Sequence, residues 1–135
     1  MKARWIILLL IGFALLFTLF RIAEDRPLAE SLYVDDQIRM EIMPVDSSAV
    51  SMQETTFELL IDELSGTPVT GADFELNITM PDMFCGVFPA AIEEIRPGVY
   101  QATVVPVMRG KWQAEAELHW KERYVKVSTV FKVHE

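Results

Sequence analysis

The chain has 135 residues, 51% of them hydrophobic, with 12 basic residues against 20 acidic ones for a formal charge of -8, one cysteine and two histidines. That length holds one ordinary domain and a short appendage and excludes a multidomain enzyme, while the apolar fraction excludes a disordered chain. The acidic balance argues against a nucleic-acid partner, because phosphate contacts need clustered Lys and Arg, and a lone cysteine makes neither an internal disulfide nor a thiolate-rich zinc centre.

The first element is the uncharged run WIILLLIGFALLFTLF from Trp5 to Phe20. At about 1.5 Å per residue it covers about 24 Å, slightly short of a hydrocarbon layer of about 30 Å, and Arg4 and Arg21 close the gap by snorkelling. Lys2 and Arg4 precede the run, whereas Arg21 and Arg26 beyond it are offset by Glu24 and Asp25. This bias puts the amino terminus in the cytoplasm and the remainder outside. A cleavable signal peptide wants a shorter apolar stretch and a small-x-small site, and Arg21-Ile22-Ala23 offers arginine in place of a small residue. The expectation is an uncleaved signal-anchor helix over residues 1–23 and a single-pass protein of the cell membrane with its domain extracytoplasmic. Beyond residue 27, eight basic residues face eighteen acidic ones, so the exported part carries about -10 and is repelled by anionic lipid.

Residues 24–35 read as a juxtamembrane linker or short helix, with Pro27 near its start. From residue 36 to residue 135 the period is that of short strands. Ile38, Met40 and Ile42 alternate with Arg39, Glu41 and Met43, and Phe57, Leu59 and Ile61 alternate with Glu58, Leu60 and Asp62. A turn at Ser65-Gly66-Thr67-Pro68 follows, then Phe74, Leu76, Ile78 and Met80 share one face. A weaker strand lies near Ala91 to Ile95, and Pro97-Gly98 precedes Tyr100, Ala102 and Val104. Trp112, Ala114, Ala116, Leu118 and Trp120 form the cleanest half-buried strand. The last run places Val125, Val127, Phe131 and Val133 inside, with Lys126, Ser128 and Lys132 outside. About seven strands in about 100 residues predict an all-β fold, an immunoglobulin-like antiparallel β-sandwich.

Catalytic constellations are absent from the sequence: no nucleophile elbow, phosphate loop, Cys/His pair at motif spacing or HExxH helix occurs, so an enzyme is not expected. A deep pocket joining His119 to carboxylates would be needed to reopen that reading. Met80-Pro81-Asp82-Met83-Phe84-Cys85-Gly86 gathers two thioethers and the only thiol on a loop broken by proline and glycine. Soft sulfur ligands select Cu(I) over hard ions. Met80, Met83 and Cys85 are therefore candidate ligands, with Met108 as a fourth. The same residues also suit packing, since Met80 continues the inward parity of its strand and methionine and free cysteine commonly fill core gaps. Met40, Met43 and Met52 read as strand and loop residues with weaker grounds for a metal role, and His119 and His134 fall on polar strand faces. A second use of the loop is docking, with Phe84, Val87 and Phe88 as apolar anchors for a membrane partner.

Gly66-Thr67-Pro68-Val69-Thr70-Gly71-Ala72-Asp73 resembles the G-x-P-v-x-g-A turn and strand of YtkA-like and FixH-like domains. Met80-Pro81-Asp82-Met83 resembles their M-P-x-M segment, and Pro97-Gly98-Val99-Tyr100 with Met108-Arg109-Gly110-Lys111-Trp112 resembles their G-x-Y and M-x-G-x-W pair. The likeness runs from about Leu59 to Val133. It implies an immunoglobulin-like sandwich tethered outside the cytoplasmic membrane. FixH-like members imply a role in copper delivery and haem-copper oxidase assembly beside a cation-pumping ATPase, hence an oxidase or metal-transport complex as partner. Many members carry histidine where this chain has Cys85, a change that keeps the position soft and favours Cu(I) over Cu(II). No small-molecule substrate is evident.

Overall fold

The structure, a computed structural model, describes residues 31–135 together with Gly12 and Leu15. The expected anchor over residues 1–23 and most of the expected linker lie outside the described residues. Ten strands follow: β1 (Leu32–Val34), β2 (Ile38–Pro44), β3 (Ala49–Val50), β4 (Thr55–Glu63), β5 (Asp73–Thr79), β6 (Phe88–Pro89), β7 (Ala91–Arg96), β8 (Val99–Val104), β9 (Gly110–Trp120) and β10 (Arg123–His134). They form two sheets, β1-β2-β4-β8-β7 and β3-β10-β9-β5-β6. The seven longer strands are those the alternation predicts, and the three added ones are short. The longer strands stack β2-β4-β8-β7 over β5-β9-β10, which is the strand order of a constant-type immunoglobulin domain.

Every long strand except β7 buries one face because its apolar residues recur every second position. Ile38, Met40 and Ile42 on β2, Phe57, Leu59 and Ile61 on β4, and Leu76 and Ile78 on β5 are all buried, as are Trp112, Ala114, Ala116 and Leu118 on β9. Strand β7 is exposed along its whole length, and its charges Glu93, Glu94 and Arg96 protect an open sheet edge from pairing with another chain. Ser128 departs from expectation: it is buried although it sits on the polar parity of β10, its short side chain lying across the ladder from Glu115.

Strand β1 lies inside the segment expected to be a linker. It is held by Asp35, whose Oδ1 accepts the backbone N–H of Gln37 and of Ile38, both at 2.8 Å. The Asp35 Oδ2 accepts the Tyr33 hydroxyl at 2.8 Å and pairs with Arg123 at 2.6 Å. Asp35 thereby fixes the β1–β2 turn and ties it to the start of β10 in the opposite sheet. The two backbone N–H donors, aided by Tyr33 and Arg123, hold its carboxyl down to about 2.

The crossover from β4 to β5 carries the chain from one sheet to the other and is clamped by Tyr100. Its hydroxyl donates to the Val69 carbonyl at 2.6 Å and accepts the Ala72 N–H at 2.9 Å, and its ring meets the edge of Phe74 at 5.1 Å. Burial pushes the phenol above its ordinary value, so the donor proton stays in place. Gly98, with φ of +73°, lets the β7–β8 turn close on this crossover: a Cβ there would meet the Ile61 carbonyl oxygen and the Pro68 Cβ, each at 2.8 Å. Glu94 completes the corner by accepting the N–H groups of Gly71 and Gly98.

Two outcomes follow from these contacts. Tyr100→Phe strands a buried carbonyl and an N–H, and urea unfolding should show a loss of about 1–3 kcal/mol, against less than about 0.5 kcal/mol for the exposed Tyr124→Phe. For Asp35, a folded value of about 2 lies below the unfolded value of about 3.9, so its contribution is complete above about pH 4 and disappears as pH falls through 2. The gap in urea midpoint between the wild type and Asp35→Asn should therefore narrow from pH 5 to pH 2; a gap that does not change with pH would remove the carboxylate from this role.

Candidate functional site

Register places the loops. Pro44 lies opposite Phe57, Thr55 opposite Val104, Thr79 opposite Gln113 and Gly110 opposite Val133. The β2–β4 connection (45–54), the β5–β6 loop (80–87), the β8–β9 loop (105–109) and the end of β10 therefore share one pole of the sandwich. The Tyr100 clamp and the Asp35 turn sit at the other. Backbone bonds tie the first pole together: Met52 N–H to the Pro106 carbonyl and Ser51 N–H to the His134 carbonyl, each at 2.8 Å.

All four sulfur residues singled out from the sequence come to this pole. Met80 follows directly on β5 and is half-buried against the core, and its methyl carbon fills the space above Gly110, 2.6 Å from where a Cβ would stand there. Gly110 has φ of +136°, so its lack of a side chain serves both the backbone and Met80. Met108 is two residues upstream, and its carbonyl accepts the Trp112 indole N–H at 2.9 Å, fixing the loop as it enters β9. Cys85 is half-buried and packs against the core, whereas Met83 and Met108 remain 52% and 37% exposed. The inner pair thus packs, and the outer pair keeps its thioethers open.

The expected docking residues divide. Phe84 is 89% exposed, and Val87 stands out beside it. Phe88 differs from expectation: it pairs with Ile78 in β6, and its ring meets the edge of Trp112 at 5.7 Å, so it is largely taken up by the fold. Met52, which the sequence marks as a residue with weaker grounds for a metal role, is exposed at the same pole with φ of 61°. Positive φ is rare for a side chain without an amide or carboxyl, and no sequence pattern announces it. His134 lines a cavity of ≈ 240 Å³ with Ala49, Phe57 and Phe131, whose walls contain no sulfur.

Among the described residues no three His, Cys, Asp or Glu side chains converge on a point. His119 stacks on Tyr124 and lies 3.7 Å from Asp73, with Glu75 and Glu117 beside it. This groove lies on the outer face of its sheet, and neither a thiol nor an aliphatic hydroxyl lines it.

Fold and pole together define a small immunoglobulin-like sandwich with a sulfur-bearing loop cluster at one end. A model of the YtkA-like family matches residues 34–117, and the chain belongs to that family. The match takes in β1's last residue and β2, upstream of the region in which the motifs are visible by eye. Among curated proteins none matches. In solved structures the chain is similar to the filamin domain of Lin-41, at 13% identity and a TM-score of 0.57, over 80% of this chain and 96% of that one. A DUF4426-family protein of Pseudomonas aeruginosa PAO1 is similar at 16% identity and a TM-score of 0.57, over 76% and 96% of the two chains. FetP of uropathogenic E. coli strain F11 is similar at 11% identity and a TM-score of 0.50, over 77% and 93%. At these identities the likeness is one of fold.

Gly110→Ala should drive the new methyl into Met80 and strain the backbone, lowering stability by about 1–3 kcal/mol in urea unfolding. Adding Met80→Ala should return part of that loss. Equal losses in the single and double variants would show that backbone strain alone is at work.

Proposed function

We propose that this protein is a non-enzymatic, membrane-anchored domain held outside the cytoplasm that binds or passes Cu(I) and assists assembly of a membrane metalloprotein such as a haem-copper oxidase. The observation that supports this reading best is the gathering of Met80, Met83, Cys85 and Met108 at one pole, although they come from two loops 28 positions apart at their extremes. Cys85 would supply the strongest bond as a thiolate, and Met83 and Met108 would be the exchangeable thioethers. Met80, held over Gly110, would be the positioned ligand. The copper ion is cargo in this reading, and a half-open sulfur set suits transfer better than permanent storage. Resemblance of the M-P-x-M and M-x-G-x-W segments to FixH-like domains supports the link to oxidase assembly, and the apolar run at Trp5–Phe20 supports the anchor.

A second reading, a docking module without metal, is favoured by one observation: Phe84 stands 89% exposed next to the exposed Met83 in the chain, with exposed Val87 on the same loop. The two are separable. Titrated against a chromophoric Cu(I) competitor under reducing conditions, the detergent-solubilised chain should take one equivalent. Cys85→Ser should weaken binding at least about tenfold, or about 1.4 kcal/mol, and Met83→Leu less. Unchanged affinity in the double variant would overturn the metal reading, and partner copurification lost in Phe84→Asp but kept in Cys85→Ser would favour the docking one.

A further inference from the structure

We infer that the sulfur pole is the end of the sandwich that faces the bilayer, with Phe84 and Val87 seated in the membrane interface. This deepens the anchored reading above and rests on it. The evidence is where the chain enters the domain. The Ser31 carbonyl accepts the Ile42 N–H at 2.9 Å, and Leu32 lies opposite Glu41, so the chain joins β1 beside the last residues of β2. Ile42 is two residues, about 7 Å, from the end of that strand. The chain therefore arrives from the sulfur pole, and β1 then runs away from it toward the Asp35 turn.

Between Phe20, where the apolar run ends, and Ser31 lie residues 21–30, a tether that spans at most about 35 Å when extended. Strand β10 packs on β1 and β2, and β6 lies three strand spacings beyond β10, so β1 and β6 occupy opposite flanks of the sandwich, about 14 Å apart sideways and about 10 Å across the gap between the sheets. The tether covers that offset, so the whole pole can lie on the surface into which the run inserts.

The surface character agrees. Val45, Met52, Met83, Phe84, Val87 and Val105 are exposed large apolar residues, and all belong to loops of this pole. The loops and strand ends around them carry Asp46, Glu54, Asp82 and Glu135 against Arg109, Lys111 and Lys132, a near balance in a chain otherwise strongly acidic. An apolar, nearly neutral tip on an acidic body suits a zwitterionic interface and avoids the repulsion that anionic headgroups would exert on the remainder. In this orientation Met83 and Cys85 open toward acceptors embedded in the membrane and away from soluble ones.

Depth-sensitive spin labelling tests the orientation. The full-length chain, with Cys85→Ser and a nitroxide on either Val87→Cys or Glu122→Cys, is reconstituted in phosphatidylcholine vesicles. Power saturation is then read with oxygen and with a water-soluble nickel chelate. The label at 87 should give an oxygen-to-nickel accessibility ratio severalfold above that at 122. Equal, aqueous ratios in vesicles that keep the chain through an alkaline wash would overturn the orientation, leave the anchor standing and hand the loop to a protein partner. Release of the chain by the wash would instead overturn the anchored reading and this inference with it. Because Cys85 is absent from both labelled variants, neither result depends on copper.

Discussion

The sandwich depends on one hydroxyl. Between β4 and β5 the chain must leave one sheet and enter the other, and a crossover of this kind exposes backbone groups that neither ladder can satisfy. Tyr100 satisfies two of them at once, donating to Val69 and accepting from Ala72, while its ring remains in the core against Phe74. A phenylalanine would fill the same space and leave both groups stranded, so the corner selects for the oxygen as well as for the ring. Around it Gly98 admits Pro68 at a distance that no other residue allows. The G-x-P-x-x-G-A and P-G-x-Y segments that mark the family are thus two halves of one corner, and their roles are structural.

That corner has a consequence for the other end. The clamp, the Glu94 bonds to Gly71 and Gly98 and the Asp35–Arg123 pair all restrain one pole through side chains. At the opposite pole the loops are held chiefly by Met52, Ser51 and Trp112 bonding to neighbouring carbonyls. Restraint at one end leaves the other free to carry side chains that folding does not require, and loops on a rigid scaffold are where binding residues concentrate. Exposed Phe84 and Met83 are of that kind.

How much of this was legible in the sequence follows from burial. Six of the seven strands could be read because each has one wet and one dry face, which writes a period of two into the residues, whereas β7 is exposed throughout and gave only a weak signal. Strands β1, β3 and β6 have only three, two and two residues, too few to show any period, and β6 contains Pro89, which argues against a strand except at an edge. The sulfur residues were visible as residue types, and their common pole is set by the register of β5, β9 and β10. What no pattern could show was the cradle: that Gly110 is empty so that Met80 can occupy it is a relation between strands, settled only by register. Met52 is visible as a loop methionine, but its backbone conformation and its bond to Pro106 are set by a neighbouring loop and leave no pattern. The partial burial of Phe88 is not legible because an aromatic in an apolar loop looks the same in sequence whether it faces water or, as here, the edge of Trp112.

Packing and metal binding are usually posed as rivals for such methionines, yet the pole separates them by position. Met80 and Cys85 lie against the core and would be retained by packing alone. Met83 and Met108 are partly open, and Phe84 between Met83 and Cys85 is almost wholly so, and packing accounts for none of the three. A metal accounts for the two thioethers but leaves Phe84 unexplained, because a phenyl ring is no ligand. An interface accounts for Phe84 and Val87 but does not by itself require sulfur. A pole that held a soft ion and met an apolar surface would use the exposed Met83, Phe84 and Val87 of this loop together. Cys85 is itself partly covered by the core, which limits the access of oxidants to a solitary thiol.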